Sequence, residues 1–245
     1  MLLADLGNTR AKFYRLDNHD VTFLANWNYQ QNLAEILTPF AGQKLTFSSV
    51  TQPKRVELLL KTANSLKIST KQITTSAKDF GIENGYKYPE KLGIDRWLAM
   101  IGARQITQKS CLIIDAGTAI TIDFLTADGA HQGGWIVAGL QTMQTALIQN
   151  TAALNLSGEP PQFTFAQNTQ QAIANGALAT AVGVIKQAIN LAQKNTQEFE
   201  IFLTGGDAPL LAENLQTAHK VVADLVLQGL KLYAQDNQSE TSSAN

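Results

Sequence analysis

The sequence reads Leu2-Leu3-Ala4-Asp5-Leu6-Gly7-Asn8-Thr9 near the amino terminus and repeats a similar pattern at Cys111-Leu112-Ile113-Ile114-Asp115-Ala116-Gly117-Thr118. In each stretch an apolar run of strand character enters an Asp-x-Gly turn, and a second strand-like run follows it. These second runs are Ala11–Tyr14 and Ala119–Phe124. The pattern therefore predicts two similar hairpins, one in each half of the chain.

The chemistry of the two turns suits a phosphate group. Glycine permits a tight turn and lets the backbone approach a ligand closely. Successive turn N–H groups and a threonine hydroxyl can cradle phosphate oxygens, and an aspartate can hold a hydrated cation beside them. Either stretch alone is more typical of an ordinary hairpin turn that binds nothing. Both together favour two hairpins that hold a polyphosphate from two sides.

Composition limits the classes of function. The 245 residues are 44% apolar, which is enough for one large domain or two of ordinary size. Charged residues make up 16% of the chain and the formal net charge is -1. Because no block of lysines and arginines is present, the sequence predicts neither a nucleic-acid partner nor a membrane partner.

The single cysteine and the scattered histidines carry little chemistry. Cys111 lies in the apolar run before the second turn and is more typical of a small buried residue than of a catalytic thiol. The three histidines stand far apart, at His19, His131 and His219, which argues against a zinc site. No secretory leader is recognisable, and no apolar run approaches membrane-spanning length. The sequence therefore predicts a soluble cytoplasmic protein.

Strands and helices alternate in a similar order in the two halves, which predicts an α/β fold of two similar lobes with a cleft between them. Strands are expected at 2–7, 11–16, 21–27, 45–50, 71–75 and 199–203. A hairpin is expected at 111–124, and another that turns at 128–129 and returns through 131–136. Helices are expected at 32–40, 53–66, 97–106, 140–154, 168–193, 209–214 and 222–234. The expected division is a lobe at 1–107, a lobe at 108–235 and a disordered polar tail at 236–245.

A third motif, Gly93-Ile94-Asp95-Arg96, stands where a long loop is expected to meet a helix. One interpretation is structural, since aspartate caps helices and favours their first turn. The other is functional: Asp95 accepts a proton from a substrate hydroxyl, and Arg96 holds a polar or anionic group of the substrate. The motif alone does not decide between them.

Six motifs in a fixed order resemble those of type III pantothenate kinase, a family of the acetate and sugar kinase, Hsp70 and actin superfamily. They are Asp5-x-Gly7-Asn8-Thr9-x-x-Lys12, Gly93-x-Asp95-Arg96, Asp115-x-Gly117-Thr118, Gly133-Gly134, Asn168-Thr169 and Thr204-Gly205-Gly206-Asp207. Each motif is weak alone, but the order and spacing are specific. The resemblance implies two duplicated ribonuclease-H-like lobes in the actin-like ATPase fold and ATP-dependent phosphorylation of pantothenate, the first step of coenzyme A biosynthesis.

The resemblance also implies roles for individual residues. Contacts with ATP fall on Asp5, Leu6, Gly7, Asn8, Thr9, Arg10, Ala11, Lys12, Thr118, Gly205 and Gly206. Contacts with pantothenate fall on Tyr88, Gly93, Ile94, Asp95, Arg96 and Thr169, with Asp95 as the proton acceptor. Asp5 is expected near Mg²⁺, and Asp115 near a monovalent cation, either K⁺ or NH₄⁺. A homodimer with the long helices of the second half at its interface is expected too.

Several of these residues also have an ordinary structural interpretation. Tyr88 can be a loop aromatic, and Asn168 or Thr169 can cap the long helix. The segment Thr204–Asp207 can be a strand-to-helix turn. The sequence also departs from the family at Ala138 and Asn155, where proline is usual, and we expect a modest cost in stability from Ala138. Two other functions stay open: a nucleotide-binding regulator without catalysis, and a kinase or phosphatase of the same superfamily for another small molecule.

Overall fold

The computed structural model describes residues 1–149, 158–196 and 198–242, and the chain divides into two compact units. Unit 1 contains Met1–Ala77, Tyr86–Gly102 and the C-terminal segment from Val226. Unit 2 contains Lys78–Gly85 and Ala103–Leu225. Each unit is therefore built from segments that are not consecutive in the chain, whereas the sequence predicts a single boundary at residue 107.

Unit 1 is built on a five-stranded sheet. Its strands are β1 (Leu2–Leu6), β2 (Ala11–Asp17), β3 (Asp20–Trp27), β4 (Lys44–Ser49) and β5 (Ser69–Gln72), in the order β3-β2-β1-β4-β5. The hairpin strands β1, β2 and β3 pair antiparallel, whereas β1, β4 and β5 pair parallel. Helices α1 (Leu33–Leu37) and α2 (Pro53–Ser65) help to cover a core that includes Phe13, Trp27 and Phe47.

Unit 2 repeats this arrangement. A short two-stranded ribbon comes first, formed by β6 (Lys78–Asp79) and β7 (Ile82–Glu83). The main sheet contains β8 (Ser110–Ala116), β9 (Ala119–Leu125), β10 (His131–Ala138), β11 (Phe199–Thr204) and β12 (Lys220–Val221). Its order is β10-β9-β8-β11-β12, with β8, β9 and β10 antiparallel and β8, β11 and β12 parallel.

The two sheets therefore have the same topology, strand for strand. Asp5 lies near the end of β1 beside Ser48 of the parallel strand β4, and Asp115 lies near the end of β8 beside Thr204 of the parallel strand β11. The prediction of a duplicated α/β fold is confirmed. The duplication also places the two Asp-x-Gly turns at equivalent positions of the two sheets.

The remaining helices are α3 (Ile94–Ile106), α4 (Leu140–Gln149), α5 (Thr169–Asn195), α6 (Ala208–Glu213) and α7 (Leu225–Ser242). Most agree with the sequence expectations to within a few residues. The short strand expected at 71–75 lies at 69–72 instead, and the long loop expected before Gly93 contains part of the ribbon β6–β7. Helix α7 extends to Ser242, past residue 234, where the sequence predicts its end. Asn155 lies outside the described residues.

From the sequence we expect no apolar run long enough to span a membrane, and helix α5 corrects that expectation. Its 27 residues include an 18-residue stretch of mean hydropathy 1.3, so by length and composition it could cross a membrane. Half of that stretch is buried inside the protein. Leu178, Val182 and Ile185 pack in the core of unit 2 with residues of β8, β9 and β11. The apolar character of α5 is therefore accounted for by its place as a core helix.

Helix α7 packs closely on α3 inside unit 1. The Tyr233 hydroxyl accepts a hydrogen bond of 3.0 Å from Nε1 of Trp97, which is fully buried. A Cβ atom on Gly229 would lie 2.2 Å from the carbonyl oxygen of Leu98. These contacts explain why the C-terminal segment belongs to unit 1 although it follows unit 2 in the chain.

We expect Gly229→Ala to destabilise the fold although alanine is the better helix former. The new methyl group meets backbone, which cannot rotate away, and overpacking of this kind costs about 1–3 kcal/mol. Alanine returns only about 1 kcal/mol of helix propensity. Thermal unfolding checks this, with Gly183→Ala of α5 as the control, since a Cβ at Gly183 meets no atom within 4 Å. An unchanged or raised melting temperature for Gly229→Ala would contradict the close packing.

Candidate active site

The turn between β1 and β2, residues 7–10, is closed by a hydrogen bond of 3.1 Å from the Gly7 N–H to the Arg10 carbonyl. Lys12 lies directly opposite Asp5 across the antiparallel pair, so an ammonium and a carboxylate share one face at the base of the turn. Ser48 of β4 donates to the Asp5 carboxylate at 2.9 Å. The turn residues Asn8, Thr9 and Arg10 are exposed to solvent. The first motif thus offers backbone donors, a cation and an oriented carboxylate.

The turn between β8 and β9 is held by its neighbours in unit 2. The Gly117 N–H donates to the Ala119 carbonyl at 3.0 Å, and the Gly139 N–H donates to the Thr118 carbonyl at 3.0 Å. A Cβ on Gly139 would lie 1.9 Å from the Gly117 carbonyl oxygen, so only glycine fits there. The side chain of Thr118 is exposed at the tip. Gly139 is the last residue of the Gly-Gly-x-Ile-x-Ala-Gly segment, residues 133–139, so the end of β10 supports the second turn.

The segment Thr204–Asp207 lies directly beside the second turn. Gly205 has a φ of +90°, and a Cβ on it would come within 2.5 Å of the Asp115 carboxylate and 2.3 Å of the Ala116 carbonyl oxygen. The Asp207 N–H donates to the Ala116 carbonyl at 3.0 Å. Burial raises the pKa of the Asp207 carboxyl above its ordinary value. The structure thus brings together two sequence motifs that are almost 90 positions apart.

Asp95 lies in the first turn of α3, in unit 1. Its Oδ1 atom accepts a hydrogen bond of 2.8 Å from the Arg96 N–H. A Cβ on Gly93 would lie 2.6 Å from the same oxygen. The positive end of the helix dipole and the N–H donor both favour a charged carboxylate. The structural and the functional interpretation of Asp95 are therefore compatible, because the same contacts that start the helix also orient the carboxylate.

We expect Gly93→Ala to lower kcat by roughly 10- to 100-fold while the fold stays intact. The new methyl group displaces the end of the Asp95 side chain rather than backbone, and small misplacements of a reacting group cost up to about 10²-fold. Steady-state kinetics and thermal unfolding on the same preparation check this, with Gly183→Ala as the control substitution. Wild-type kcat in Gly93→Ala would show that the position of the carboxylate is unimportant.

Arg96 has a partner that the sequence did not indicate. The side chain is only 4% exposed, and its Nη1 donates to the Tyr86 hydroxyl at 2.5 Å with the guanidinium 5.4 Å from the centre of the ring. Tyr88, the tyrosine chosen from the sequence, is 58% exposed, with the Lys87 ammonium 5.5 Å from its ring centre. The spacing Tyr-x-Tyr contains the only sequence signal for Tyr86.

Thr169 is the first residue of α5, and Asn168 is the helix cap: its side chain accepts from the Gln171 N–H at 2.8 Å. The capping interpretation of Asn168 is thus confirmed. Thr169 lines an open groove of about 660 Å³ between α4 and α5, together with Met143 and Leu147. This places Thr169 in unit 2, whereas Gly93, Ile94, Asp95 and Arg96 lie in unit 1.

Cys111 is buried, and desolvation raises the pKa of its thiol to about 12. A thiol with such a pKa stays protonated at neutral pH and is a poor nucleophile. Within the described residues no group of three or more histidine, cysteine, aspartate or glutamate side chains is arranged to hold a metal ion. The burial of Cys111 agrees with its sequence interpretation as a small core residue.

Comparisons with known proteins agree with the motifs. A family model described as type III pantothenate kinase matches residues 1–191. The type III pantothenate kinase of Idiomarina loihiensis is 37% identical over 264 residues, which cover 98% of this chain and 100% of that protein. The type III pantothenate kinase of Colwellia psychrerythraea is 34% identical over 248 residues, which cover 96% and 100%.

Solved structures share the fold at lower identity. A protein of Campylobacter jejuni described as a Baf family transcriptional activator has a TM-score of 0.60 at 23% identity and covers 98% of this chain and 100% of its own. MreB5 of Spiroplasma citri has a TM-score of 0.54 at 12% identity, with 100% and 98% covered. The fold is that of the actin-like ATPases. Since the family model spans most of the sequence and full-length relatives exceed 30% identity, the chain belongs to the type III pantothenate kinase family.

Proposed function

We propose that this protein transfers the γ-phosphoryl group of ATP to the primary hydroxyl of pantothenate, the first step of coenzyme A biosynthesis. The observation that carries the proposal is the pair of equivalent Asp-x-Gly turns at the same strand end of two duplicated sheets, in a chain of this family. Phosphoryl transfer depends mainly on positioning and on stabilisation of charge, which backbone-lined turns of this kind can supply.

The residues near each turn have distinct proposed roles toward ATP. The first turn and Lys12 hold phosphate oxygens, and the hydroxyl of Thr118 does so from the second turn. The segment Gly205-Gly206 lies toward the nucleoside. What supports these roles is the exposure of Asn8, Thr9 and Thr118 at the two turn tips, and the contact between the Gly205 segment and the second turn.

On the acceptor side, Asp95 takes the proton of the pantothenate hydroxyl. Gly93, Ile94, Arg96, Tyr88 and Thr169 are the proposed contacts with the rest of pantothenate. Arg96 is buried and already bound to Tyr86, so its guanidinium is held in place for a forked hydrogen bond. We add Tyr86 to the acceptor side on the basis of this contact.

The residues present fit the two cations that the family implies. Mg²⁺ binds proteins through one or two carboxylates together with substrate phosphates, and Asp5, oriented by Ser48, provides one such carboxylate. Asp115 provides the oxygen donor for a monovalent cation, K⁺ or NH₄⁺. When bound, both cations neutralise phosphate charge.

We expect Asp115→Ala to raise the KM for ATP about tenfold or more and to reduce any activation by K⁺, because a charged ligand beside the second turn is lost. Rates measured in equal concentrations of KCl and NaCl check this. Glu213→Ala is the control, since Glu213 is an exposed carboxylate of α6 in the same unit. Equal rates of the wild type in both salts would contradict the cation role of Asp115.

We also propose a cytoplasmic homodimer. Phe165 is fully exposed, and the groove between α4 and α5 is lined mainly by apolar side chains such as Met143, Leu147 and Ile173. A second copy of the chain would cover such a surface. Sedimentation velocity checks this proposal, and a monomer mass at micromolar concentration would contradict it.

The experiment that tests the function is an ATP-consumption assay with pantothenate, a panel of sugars, acetate or no acceptor. The expected result is turnover with pantothenate only. Consumption with a sugar or acetate instead would identify a different kinase of the superfamily. ATP binding without turnover on any acceptor would favour a nucleotide-binding regulator.

A further inference from the structure

Two side chains from distant parts of unit 1 bind the backbone of the first turn. The Tyr29 hydroxyl, just after β3, donates to the Gly7 carbonyl. Arg55, in the first turn of α2, donates through Nη1 to the Asn8 carbonyl at 2.5 Å. These are consecutive peptide groups of the turn. Neither Tyr29 nor Arg55 belongs to the sequence motifs that point to phosphate.

The Tyr29–Arg55 pair is itself held together. The Arg55 guanidinium lies 3.9 Å from the centre of the Tyr29 ring, a cation–π contact. Arg55 Nη1 also donates to the Thr51 hydroxyl at 2.9 Å. The Tyr29 ring packs edge-on against the ring of Trp27, with 4.7 Å between the ring centres, and Trp27 is fully buried. The pair is thus anchored to the core, and its two donors have little freedom.

Tyr29 has an unusual backbone for a bulky residue, with a φ of +68°. Left-handed conformations are costly for such residues and persist where the surroundings hold them. Burial also raises the pKa of the Tyr29 hydroxyl above its ordinary value, so the group stays protonated and remains a donor at neutral pH. The chain therefore keeps an aromatic donor at a position where glycine would be less strained.

The consequence for the turn follows from peptide geometry. In a trans peptide the C=O of one residue and the N–H of the next point in opposite directions. Fixing the Gly7 and Asn8 carbonyls toward Tyr29 and Arg55 therefore turns the N–H groups of Asn8 and Thr9 away from them. Both of these residues are exposed. Consecutive N–H groups presented in this way form a site for an anion.

We infer that Tyr29 and Arg55 are positioning residues that hold the Gly7–Asn8 and Asn8–Thr9 peptide groups with their N–H donors toward the phosphates of ATP. The inference rests on the proposed function in that ATP is taken as the ligand of the turn. Neither side chain touches the reacting atoms in this role. Each acts through the carbonyl that it binds.

The test compares Tyr29→Phe and Arg55→Gln with the wild-type full chain. We expect the KM for ATP to rise roughly 5- to 10-fold in each variant, as for the loss of one hydrogen bond, with the KM for pantothenate unchanged. Inhibition by adenosine, which lacks phosphates, should keep its wild-type inhibition constant. A purely structural role would weaken ATP and adenosine alike or change only the melting temperature.

Two control variants isolate the effect. Tyr233→Phe removes a tyrosine hydroxyl that hydrogen-bonds Trp97 elsewhere in unit 1, and Lys61→Gln removes an exposed positive charge from α2. Both should keep the wild-type KM for ATP. Wild-type ATP kinetics in Tyr29→Phe or Arg55→Gln would overturn the inference, and so would equal losses for ATP and adenosine. Absence of turnover in the wild type would instead refute the proposed function, and the two failures are thereby distinguished.

Discussion

Asp95→Asn is expected to lower kcat by about 10²–10⁴-fold, the usual contribution of a well-placed general base. Asparagine has nearly the same shape as aspartate but cannot take a proton from the hydroxyl of pantothenate. The KM for ATP should change little, because the proposed phosphate contacts lie on other residues. The measurement is steady-state turnover with saturating ATP and pantothenate, with ATP binding followed separately.

The same substitution separates the two interpretations of Asp95. The asparagine side-chain oxygen can still accept the Arg96 N–H, and the loss is the attraction between the charge and the helix dipole, about 0.3–1 kcal/mol, so the melting temperature should fall by no more than about 4 °C. Asp17→Asn is the matched control, since Asp17 is a half-exposed carboxylate of unit 1 that pairs with Arg15. Surface pairs of this kind contribute little. If Asp95→Asn lowered the melting temperature and left kcat intact, Asp95 would be a structural residue only.

The parts that the sequence predicted well are local. A strand, an Asp-x-Gly turn and a second strand are adjacent in the chain, so their pattern indicates a hairpin directly, and both hairpins are present. The cap at Asn168 is equally local, because the side chain binds a backbone N–H three residues on. The duplication could also be predicted, since the same order of elements occurs in both halves.

The parts that the sequence missed depend on contacts between distant residues. Tyr86 was overlooked in favour of Tyr88 because only the fold shows which ring meets Arg96. Tyr29 and Arg55 carry no motif, and their link to the first turn joins residues 22 and 47 positions apart. The end of α7 differs from the prediction for another reason: its last residues are polar, a composition that is also typical of disordered tails.

The second large effect is expected for Gly205→Ala, which should reduce kcat/KM for ATP about 10²-fold or more. With a φ of +90°, alanine is strained at this position whatever the space around it. The added Cβ would also lie 2.3 Å from the Ala116 carbonyl oxygen and 2.5 Å from the Asp115 carboxylate. Relief of these contacts must displace the second turn, and a shift of about 1 Å in a positioning element costs roughly 10²-fold.

Stability should fall in the same variant, and the neighbouring glycine provides the control. Strain and overpacking together are expected to cost roughly 2–4 kcal/mol, which lowers the melting temperature of a chain this long by roughly 5–15 °C. A Cβ on Gly206 meets nothing within 4 Å, so Gly206→Ala should keep the wild-type melting temperature. Equal melting temperatures for the two variants would contradict the close approach of Gly205 to the second turn. A stable Gly205→Ala protein with wild-type use of ATP would refute the proposed role of that turn in holding the nucleotide.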